Sequence, residues 1–188
     1  MGLAVYHHFY KGYSSYFGLP DAAGIDITGE LTFGCWVYFS PGSSLVDMGI
    51  MSKWYTTGNQ RAYVINKDTN NKFQFRVSSN GTSIAQVNDA AENFAIETWF
   101  YVVGRFTPST ELALFVNGTW YLNTAAIPAS IYNSSEPLEI GRYNRTNYLD
   151  GRACHAFICA YAVPDRFIEA MYAHTRGMFK PQTLGVFI

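Results

Sequence analysis

Charge is scarce in this sequence and evenly balanced. Lysine, arginine, aspartate and glutamate together make up 14% of the 188 residues, and the formal net charge is −1. Proteins that bind nucleic acid usually cluster lysine and arginine on one face, and no such run occurs here. Long apolar stretches are also missing, because the longest runs fall well short of the length that spans a bilayer. We therefore expect neither nucleic acid nor a membrane among the partners.

A secretory signal and paired cysteines are missing as well. The first residues, MGLAVYHHFYKG, have neither the basic region nor the apolar core of a signal peptide. Cysteine occurs only at Cys35, Cys154 and Cys159, without the Cys-x-x-Cys spacing of a zinc site. Cys154 and Cys159 lie on one predicted strand at an odd spacing, which places them on opposite faces and argues against a disulfide. We expect free thiols and synthesis in a reducing cytoplasm without a signal peptide.

Aromatic and β-branched residues are abundant, and their pattern is clearest between Trp99 and Leu122. Trp99–Phe106 is dense in both types and ends at a turn cluster that contains a proline. Leu112–Val116 then alternates, and Asn117-Gly118 follows it. Both residues of that pair tolerate the positive φ of a type I′ hairpin turn. This stretch predicts three consecutive antiparallel strands.

Further strands and one helix are predicted along the rest of the chain. The additional strands are Tyr13–Leu19, Leu31–Phe39, Gly49–Trp54, Arg61–Ile65, Lys72–Ser78, Thr82–Val87, Leu138–Gly141 and Arg152–Tyr161. Leu31–Phe39 carries aromatic residues on both alternating faces, which predicts a central position in its sheet. The helix begins at Pro164-Asp165 and ends near His174 to Gly177. The predicted fold is all-β, an antiparallel two-sheet sandwich with one short C-terminal helix.

Six segments occur in an order and spacing typical of one protein family. They are residues 16–39 (YFGLPDAAGIDITGELTFGCWVYF), Ile50–Trp54, Trp99–Val103, Leu114–Gly118, Leu138–Gly141 and Asp150–Tyr172. Together they resemble the laminin-G-like branch of the concanavalin A-like lectin/glucanase superfamily. The resemblance covers about residues 13–179 and implies a jelly roll, with residues 1–188 forming a single domain. It implies less about the ligand, because many functions share this architecture.

The resemblance also bears on calcium and on catalysis. Where the family often has aspartate in a Gly-x-Ile-Asp motif, this chain has Gly151-Arg152-Ala153-Cys154, so no motif supports calcium. No cofactor or metal is expected, and the pattern leaves open only a calcium site assembled from carboxylates of distant loops. Glycosidases of the superfamily use two nearby carboxyl groups, usually from one strand. Their Glu-x-Asp-x-x-Glu pattern is absent, and Glu111 and Glu139 stand alone. We therefore expect no enzymatic activity and no catalytic residues.

Three loops combine aromatic rings with amide or guanidinium groups. Sugars are recognised by this mixture, because a pyranose has apolar faces and a rim of hydroxyl groups. The candidate ligand or partner surface consists of Trp54, Tyr55, Asn59, Trp120, Tyr121, Tyr143, Asn144, Arg145 and Tyr148. The alternative for each loop is that its aromatic residues only anchor the loop. The pattern leaves open whether the three loops form a single rim.

These observations predict a non-catalytic structural or adhesion protein. Laminin-G-like modules generally act outside cells, and assembly into virions in the cytoplasm reconciles that with the missing signal. We expect a virion surface component, such as a capsid decoration, fibre or tail-associated protein, located on the virion or extracellularly. Its expected partners are glycans and other virion or self subunits, and the apolar tail Leu184–Ile188 either completes a sheet or contacts a neighbouring subunit. The alternative is a stand-alone carbohydrate-binding lectin, or a domain of a larger extracellular protein.

Overall fold

A computed structural model describes residues 6–90 and 94–179 as a predominantly β structure. Its strands, in chain order, are β1 (His7–Phe9), β2 (Phe17–Leu19), β3 (Leu31–Phe39), β4 (Met48–Tyr55), β5 (Gln60–Lys67), β6 (Phe73–Gly81), β7 (Ala85–Asn88), β8 (Trp99–Thr107), β9 (Glu111–Val116), β10 (Thr119–Asn123), β11 (Leu138–Ile140), β12 (Arg142–Tyr143), β13 (Asn147–Tyr148) and β14 (Gly151–Cys159). The α-helix α1 (Asp165–Thr175) follows the last strand. The predicted all-β class with a short C-terminal helix is confirmed.

Two antiparallel six-stranded sheets form the sandwich. Sheet 1 has the order β1-β14-β3-β8-β9-β10, and sheet 2 has the order β2-β11-β4-β5-β6-β7. The predicted run of three strands is β8-β9-β10. Its second turn is a two-residue hairpin, because Val116 pairs with Thr119 and the residues between them, Asn117 and Gly118, have φ values of 48° and 102°. The central position predicted for β3 is also confirmed, since it pairs with β14 and β8.

The interior lies between the two sheets and is rich in aromatic rings. One face of β3 contributes Leu31, Phe33, Cys35, Val37 and Phe39, all fully buried. From sheet 2, Tyr63 and Phe75 meet Phe33 edge to face, with ring centroids 5.2 and 5.6 Å apart. Each such ring contributes about 1.5–3 kcal/mol by leaving water. The strict alternation of β3 is therefore the direct cause of its burial pattern.

Helix α1 packs on the outer face of sheet 1. Ile168 is fully buried there, and the ring of Tyr172 stacks on Trp36 at 5.8 Å. The Trp36 indole Nε1 donates to the Thr175 hydroxyl at 2.9 Å, near the helix end. Two other apolar residues of the helix, Phe167 and Met171, remain 52% and 37% exposed. No helix among the described residues is long and apolar enough to cross a bilayer.

Several strand boundaries differ from the sequence-based expectation. The strand predicted over Tyr13–Leu19 begins only at Phe17, because Lys11–Tyr13 forms a 3-10 turn that Ser14 ends with a φ of 51°. Strand β1 and the short hairpin of β12 and β13 were not predicted, since segments of two or three residues are too short to show a periodicity. The predicted role of Leu184–Ile188 lies outside the described residues.

The prediction that the cysteines are free thiols is confirmed, whereas the prediction that Cys154 and Cys159 lie on opposite faces of their strand is wrong. All three cysteines are free thiols. A β-bulge interrupts β14 between Cys154 and Phe157, where His155 adopts a φ of 50°. The bulge shifts the alternation by one residue, so Cys154, Phe157 and Cys159 all lie on the helix side of sheet 1. The same bulge leaves His155 exposed, whereas a strand histidine in regular alternation would have been packed.

Candidate functional site

The hairpin formed by β12 and β13 lies across the outer face of sheet 2. Its turn is built by Asn144 and Arg145, which both have positive φ values, 55° and 59°. Gly49 permits the close approach to β4, because a Cβ atom there would lie 2.4 Å from the backbone of Arg142. The Ser52 hydroxyl then donates to the Arg142 carbonyl at 2.8 Å. A glycine in β4 thus determines where the hairpin sits.

Trp54 of β4 and Tyr143 of the hairpin form a buried floor between the hairpin and sheet 2. They pack together with Val64 and are only 3% and 5% exposed. The guanidinium carbon of Arg76 lies 5.3 Å from the Trp54 ring and 5.4 Å from the Tyr143 ring. The sequence-based surface therefore has to be corrected at these two residues, because both side chains are buried between the hairpin and sheet 2. They support the site from below and do not offer a face to a ligand in this structure.

Asp47 ties the floor to the hairpin. Its carboxylate accepts hydrogen bonds from Asn66 Nδ2 at 3.0 Å, from Asn147 Nδ2 at 2.8 Å and from the Tyr143 hydroxyl. Burial raises the pKa of Tyr143 to about 12, and the hydrogen bond to Asp47 acts in the same direction. Tyr143 therefore stays a neutral donor at physiological pH. One carboxylate thus holds two strands of sheet 2 and the hairpin in a fixed arrangement.

An exposed rim surrounds this floor and joins two of the three predicted loops. The side-chain carbonyl of Asn144 accepts a hydrogen bond from the Thr56 amide at 2.8 Å. The Arg145 guanidinium carbon lies 4.1 Å from the Tyr55 ring centre, and Nη2 of the same group contacts both Glu136 oxygens at 3.0 Å. Asn59 is exposed beside them, in the left-handed region with a φ of 57°. We call Tyr55, Asn59, Asn144 and Arg145 the rim.

Tyr148 lies on the other side of the hairpin, in contact with an arginine. Its hydroxyl accepts a hydrogen bond from Arg142 Nη1 at 3.3 Å. The Arg142 guanidinium carbon also lies 3.5 Å from the Tyr16 ring centre and forms an ion pair with Glu139. Tyr148 is half-buried, so part of its ring is available to a partner.

The second of the three predicted loops, which contains Trp120 and Tyr121, lies on the opposite side of the sandwich. Trp120 belongs to β10 of sheet 1 and points to the outer face, where its indole Nε1 donates to Glu169 of α1 at 3.0 Å. The next residue, Tyr121, packs against the interior, as strand alternation requires. The predicted surface is therefore divided: the first and third of the predicted loops meet on sheet 2, and Trp120 and Tyr121 do not join them.

Sequence reasoning missed a row of polar side chains beside the rim. Asn66, Gln74 and Arg76 project from the outer face of β5 and β6. Arg76 Nη2 donates to Asn66 Oδ1 at 3.0 Å, and Asn66 Nδ2 contacts Gln74 Oε1 at 3.4 Å. Arg76 Nε has no hydrogen-bond partner within the described structure. The alternation of Phe73, Gln74, Phe75, Arg76 and Val77 was the signal that could have found this row.

The site offers hydrogen bonds and stacking, and the two glutamates considered for catalysis in the sequence both serve in ion pairs. Glu139 on β11 is paired with Arg142, and Glu111 on β9 contacts Arg105 Nη2 at 2.6 Å. Because β9 and β11 belong to different sheets, these two carboxylates do not form a pair across one cleft. Within residues 6–90 and 94–179, no three His, Cys, Asp or Glu side chains cluster as a metal site would require.

The family was identified by comparison with protein-family models. A model described as the concanavalin A-like lectin/glucanases superfamily matches residues 11–165. The chain belongs to this superfamily. The resemblance inferred from the sequence motifs is thereby confirmed. A search of curated protein sequences gave no match.

Solved structures with the same fold include binding domains of bacterial toxins. One is the binding domain of Paraclostridial Mosquitocidal Protein 1, with 12% identity, a TM-score of 0.64, and coverage of 90% of this chain and 47% of that one. Another is the receptor binding domain of botulinum neurotoxin C/D mosaic serotype, with 10% identity, a TM-score of 0.63, and coverage of 79% and 37%. A third, with 13% identity, a TM-score of 0.57, and coverage of 78% and 36%, concerns botulinum neurotoxin type C, whose cell entry depends on interaction with two ganglioside molecules.

At these identities the likeness shows a shared fold. This chain spans between 36% and 47% of the length of the three solved chains. The ligands named for those proteins therefore belong to longer chains, and the match does not assign them to the shared part.

Proposed function

We propose that this protein is a non-catalytic carbohydrate-binding domain and that the rim is its binding surface. The observation that carries the proposal is the meeting of two loops, far apart in sequence, through the Asn144–Thr56 hydrogen bond and the Arg145–Tyr55 contact. The result is one group of aromatic, amide and guanidinium side chains on a fixed support, with Asn59 and Arg145 exposed and Tyr55 and Asn144 half-buried. Such a group suits a sugar, which needs a stacking surface beside donors and acceptors for its hydroxyls.

The comparisons support a binding role for the domain. The similar solved structures are described as binding or receptor-binding domains, and one of the toxins depends on gangliosides, which are glycans attached to lipid. The ion pairs of Glu111 and Glu139 support the non-catalytic part of the proposal, because a glycosidase carboxyl must be available to the substrate.

As the setting we propose a virion surface, where the domain contacts neighbouring subunits as well as glycans. An exposed apolar flank supports this: Tyr13, Phe17 and Leu19 are 85%, 55% and 43% exposed. Aromatic residues are enriched where proteins contact each other. The second candidate is a module of a larger extracellular protein, which is favoured by the greater length of the similar solved chains.

A glycan array with rim variants tests the binding role. We expect the wild type to bind at least one glycan, and Arg145→Gln and Asn59→Gly to weaken that binding by about tenfold each, as losing one good polar contact does. Glycine at 59 keeps the positive φ, so only the amide group is removed. Arg166→Gln is the matched control, because Arg166 also lies over an aromatic ring, Phe167, but on α1. Equal binding by all variants, or no glycan bound by the wild type, would refute the proposal.

Solution mass tests the setting. A virion component is expected to form oligomers that Phe17→Ser dissociates, as measured by size exclusion with light scattering. A strictly monomeric wild type would argue for the lectin-module alternative. The genes adjacent to the coding sequence provide an independent check, since capsid, portal or tail genes are expected there under the virion proposal.

A further inference from the structure

A cavity of about 460 Å³ opens on the outer face of sheet 1, at the C-terminal end of α1. Its walls are aromatic: Trp36 and Trp99 come from the sheet, Tyr172 from the helix and Phe179 from the residues after it. Phe179 stacks against Trp36 with ring centroids 4.3 Å apart and tilts against Trp99 at 4.8 Å. Its volume falls in the range of about 300–1,000 Å³ typical of small-molecule sites.

Two charged groups of opposite sign stand at this cavity without partners. Glu97 and Arg176 both line it and are both exposed. Within the described part of the chain, neither the Glu97 carboxylate nor the Arg176 guanidinium forms an ion pair or a side-chain hydrogen bond. The Arg176 guanidinium carbon lies 5.9 Å from the Tyr172 ring centre, so it is held near the aromatic walls.

The backbone also holds Glu97 in an unusual conformation. Its φ is 57°, in the left-handed region that non-glycine residues seldom adopt. The conformation is fixed by the Glu97 amide, which donates to the Phe39 carbonyl at 2.8 Å. Backbone strain of this kind is concentrated at binding and catalytic sites, where it positions a side chain.

Other charges near α1 are already committed to the fold. Arg105 contacts Glu111 at 2.6 Å and also forms an ion pair with Asp165, and Glu169 accepts from the Trp120 indole at 3.0 Å. These pairs stabilise the helix on the sheet. Glu97 and Arg176 take no such part, which leaves both groups available to a ligand.

We propose that this cavity is a second carbohydrate site and that it binds an uncharged pyranose ring. An apolar face of the sugar ring contacts the half-buried rings of Trp99 and Phe179, and its hydroxyls donate to Glu97 and accept from Arg176. Because the two charges are opposite, the cavity favours neither an anion nor a cation, whereas a neutral polyhydroxyl ring satisfies both. The proposal extends the proposed carbohydrate-binding function to a second surface, and each surface is testable without the other.

The tryptophans allow the two sites to be followed separately in the full chain. The sequence has four, and Trp54 lies under the rim whereas Trp99 lines the cavity. We would record the indole N–H signals by ¹H–¹⁵N NMR while adding maltohexaose, cellohexaose or chitohexaose, up to about 10 mM, well above the Kd of a weak site. At least one of these probes is expected to move the Trp99 signal in a saturable manner.

Two variants test the polar groups of the cavity. Glu97→Gln and Arg176→Gln are each expected to raise the Kd read from Trp99 by about tenfold and to leave the Kd read from Trp54 unchanged. Arg166→Gln, an exposed arginine earlier on the same helix, is the matched control and should change neither. Both variants replace exposed groups, so folding is expected to be retained, and far-UV circular dichroism checks it.

Each result separates the two sites. A Trp99 signal that none of the sugars moves overturns the cavity proposal, and if Trp54 moves in the same titration the rim proposal stands. Movement of Trp99 alone supports the cavity and counts against the rim. If phosphocholine, a zwitterion, moves Trp99 and the sugars do not, the uncharged class is wrong. If Trp99 moves but neither variant changes the Kd, the roles of Glu97 and Arg176 are refuted.

Discussion

The two outer faces of the sandwich are built on the same kind of sheet and are used differently. On sheet 1, outward-facing Trp36, Tyr101 and Phe115 form an apolar surface that α1 covers. On sheet 2, the outward-facing residues include polar Asn66, Gln74 and Arg76; Asn66 is buried, whereas Gln74 and Arg76 are only half-buried. Both sheets have six antiparallel strands, so topology is not the source of the difference.

The difference teaches how outward residues decide between stability and recognition. An apolar face gains free energy in proportion to the area that a cover removes from water. A polar face gains little when covered, because every donor and acceptor must find a new partner. Sheet 1 therefore recruits a helix and contributes to the fold, whereas sheet 2 keeps groups that a ligand can use.

The largest expected effect comes from truncating the apolar face. Phe115→Ala removes a fully buried ring that meets Trp120 at 4.9 Å and Tyr172 at 5.7 Å. We expect the free energy of unfolding to fall by about 3–5 kcal/mol, as for other buried phenylalanines. Urea unfolding measures it. Val64→Ala, at a buried outward position of sheet 2, is the comparison and should cost less; an equal or larger loss at Val64 would break the contrast between the faces.

A smaller effect is expected from the carboxylate that organises the polar face. Asp47→Ala removes the acceptor of the Tyr143 hydroxyl and leaves the buried Asn66 amide with only its 3.4 Å contact to Gln74, at a cost of about 1–3 kcal/mol. Since Asp47 also holds Asn147 of the hairpin, glycan binding at the rim should weaken with stability. A double-mutant cycle with Tyr143→Phe isolates the shared hydrogen bond. The double variant should lose less stability than the sum of the losses of the two single variants. Full additivity would show that Asp47 and Tyr143 are energetically independent.

The smallest effect is the change in stability over a single pH unit, and it should come from the sheet 2 half of the molecule. Burial raises the pKa of Asp89, just after β7, to about 7, although the Phe73 amide donates to its carboxylate. Between its ordinary pKa of 3.8 and about 7, the unfolded state loses this proton and the folded state keeps it. Stability should therefore fall as pH rises, by at most about 1.4 kcal/mol per pH unit.

The matching variant for the pH prediction is Asp89→Asn, which keeps an acceptor for the Phe73 amide. The difference between the unfolding free energies of the wild type and this variant, measured across this pH range, should isolate the pH dependence due to Asp89. The buried Cys154 thiol of sheet 1 does not titrate in this range, since burial raises its pKa to about 12. A pH-independent difference would mean that the Asp89 carboxylate is solvated in the folded state.

The parts of the fold predicted from sequence are those governed by local periodicity. The alternation of Leu31–Phe39, the Asn117-Gly118 turn and the helix after Pro164 all depend on neighbouring residues, and all are confirmed. The shift of Cys159 to the helix side depends on one bulge at His155, which leaves no periodic signal.

The candidate site was predicted only in part, for a physical reason. The loop at residues 54–60 meets the loop at 142–148 because of long-range contacts. One of these joins Ser52 to Arg142, which are 90 residues apart in the sequence. Trp54 is buried because the hairpin of β12 and β13 packs over it, so the residue pattern of β4 alone does not indicate its burial. Trp120 has a ring suited to stacking on a sugar but belongs to sheet 1, away from the rim. Composition does not tell which sheet or which face a strand residue occupies.

The bonds between the two rim loops have a consequence for protein engineering. The side-chain carbonyl of Asn144 accepts a hydrogen bond from the Thr56 backbone amide, and the Asn144 backbone amide donates to the Trp54 carbonyl. A loop graft that replaced residues 54–60 alone would remove half of this pairing and misplace Arg145. Specificity should therefore be transplanted by exchanging both loops together, and natural variation in their lengths is expected to occur in pairs.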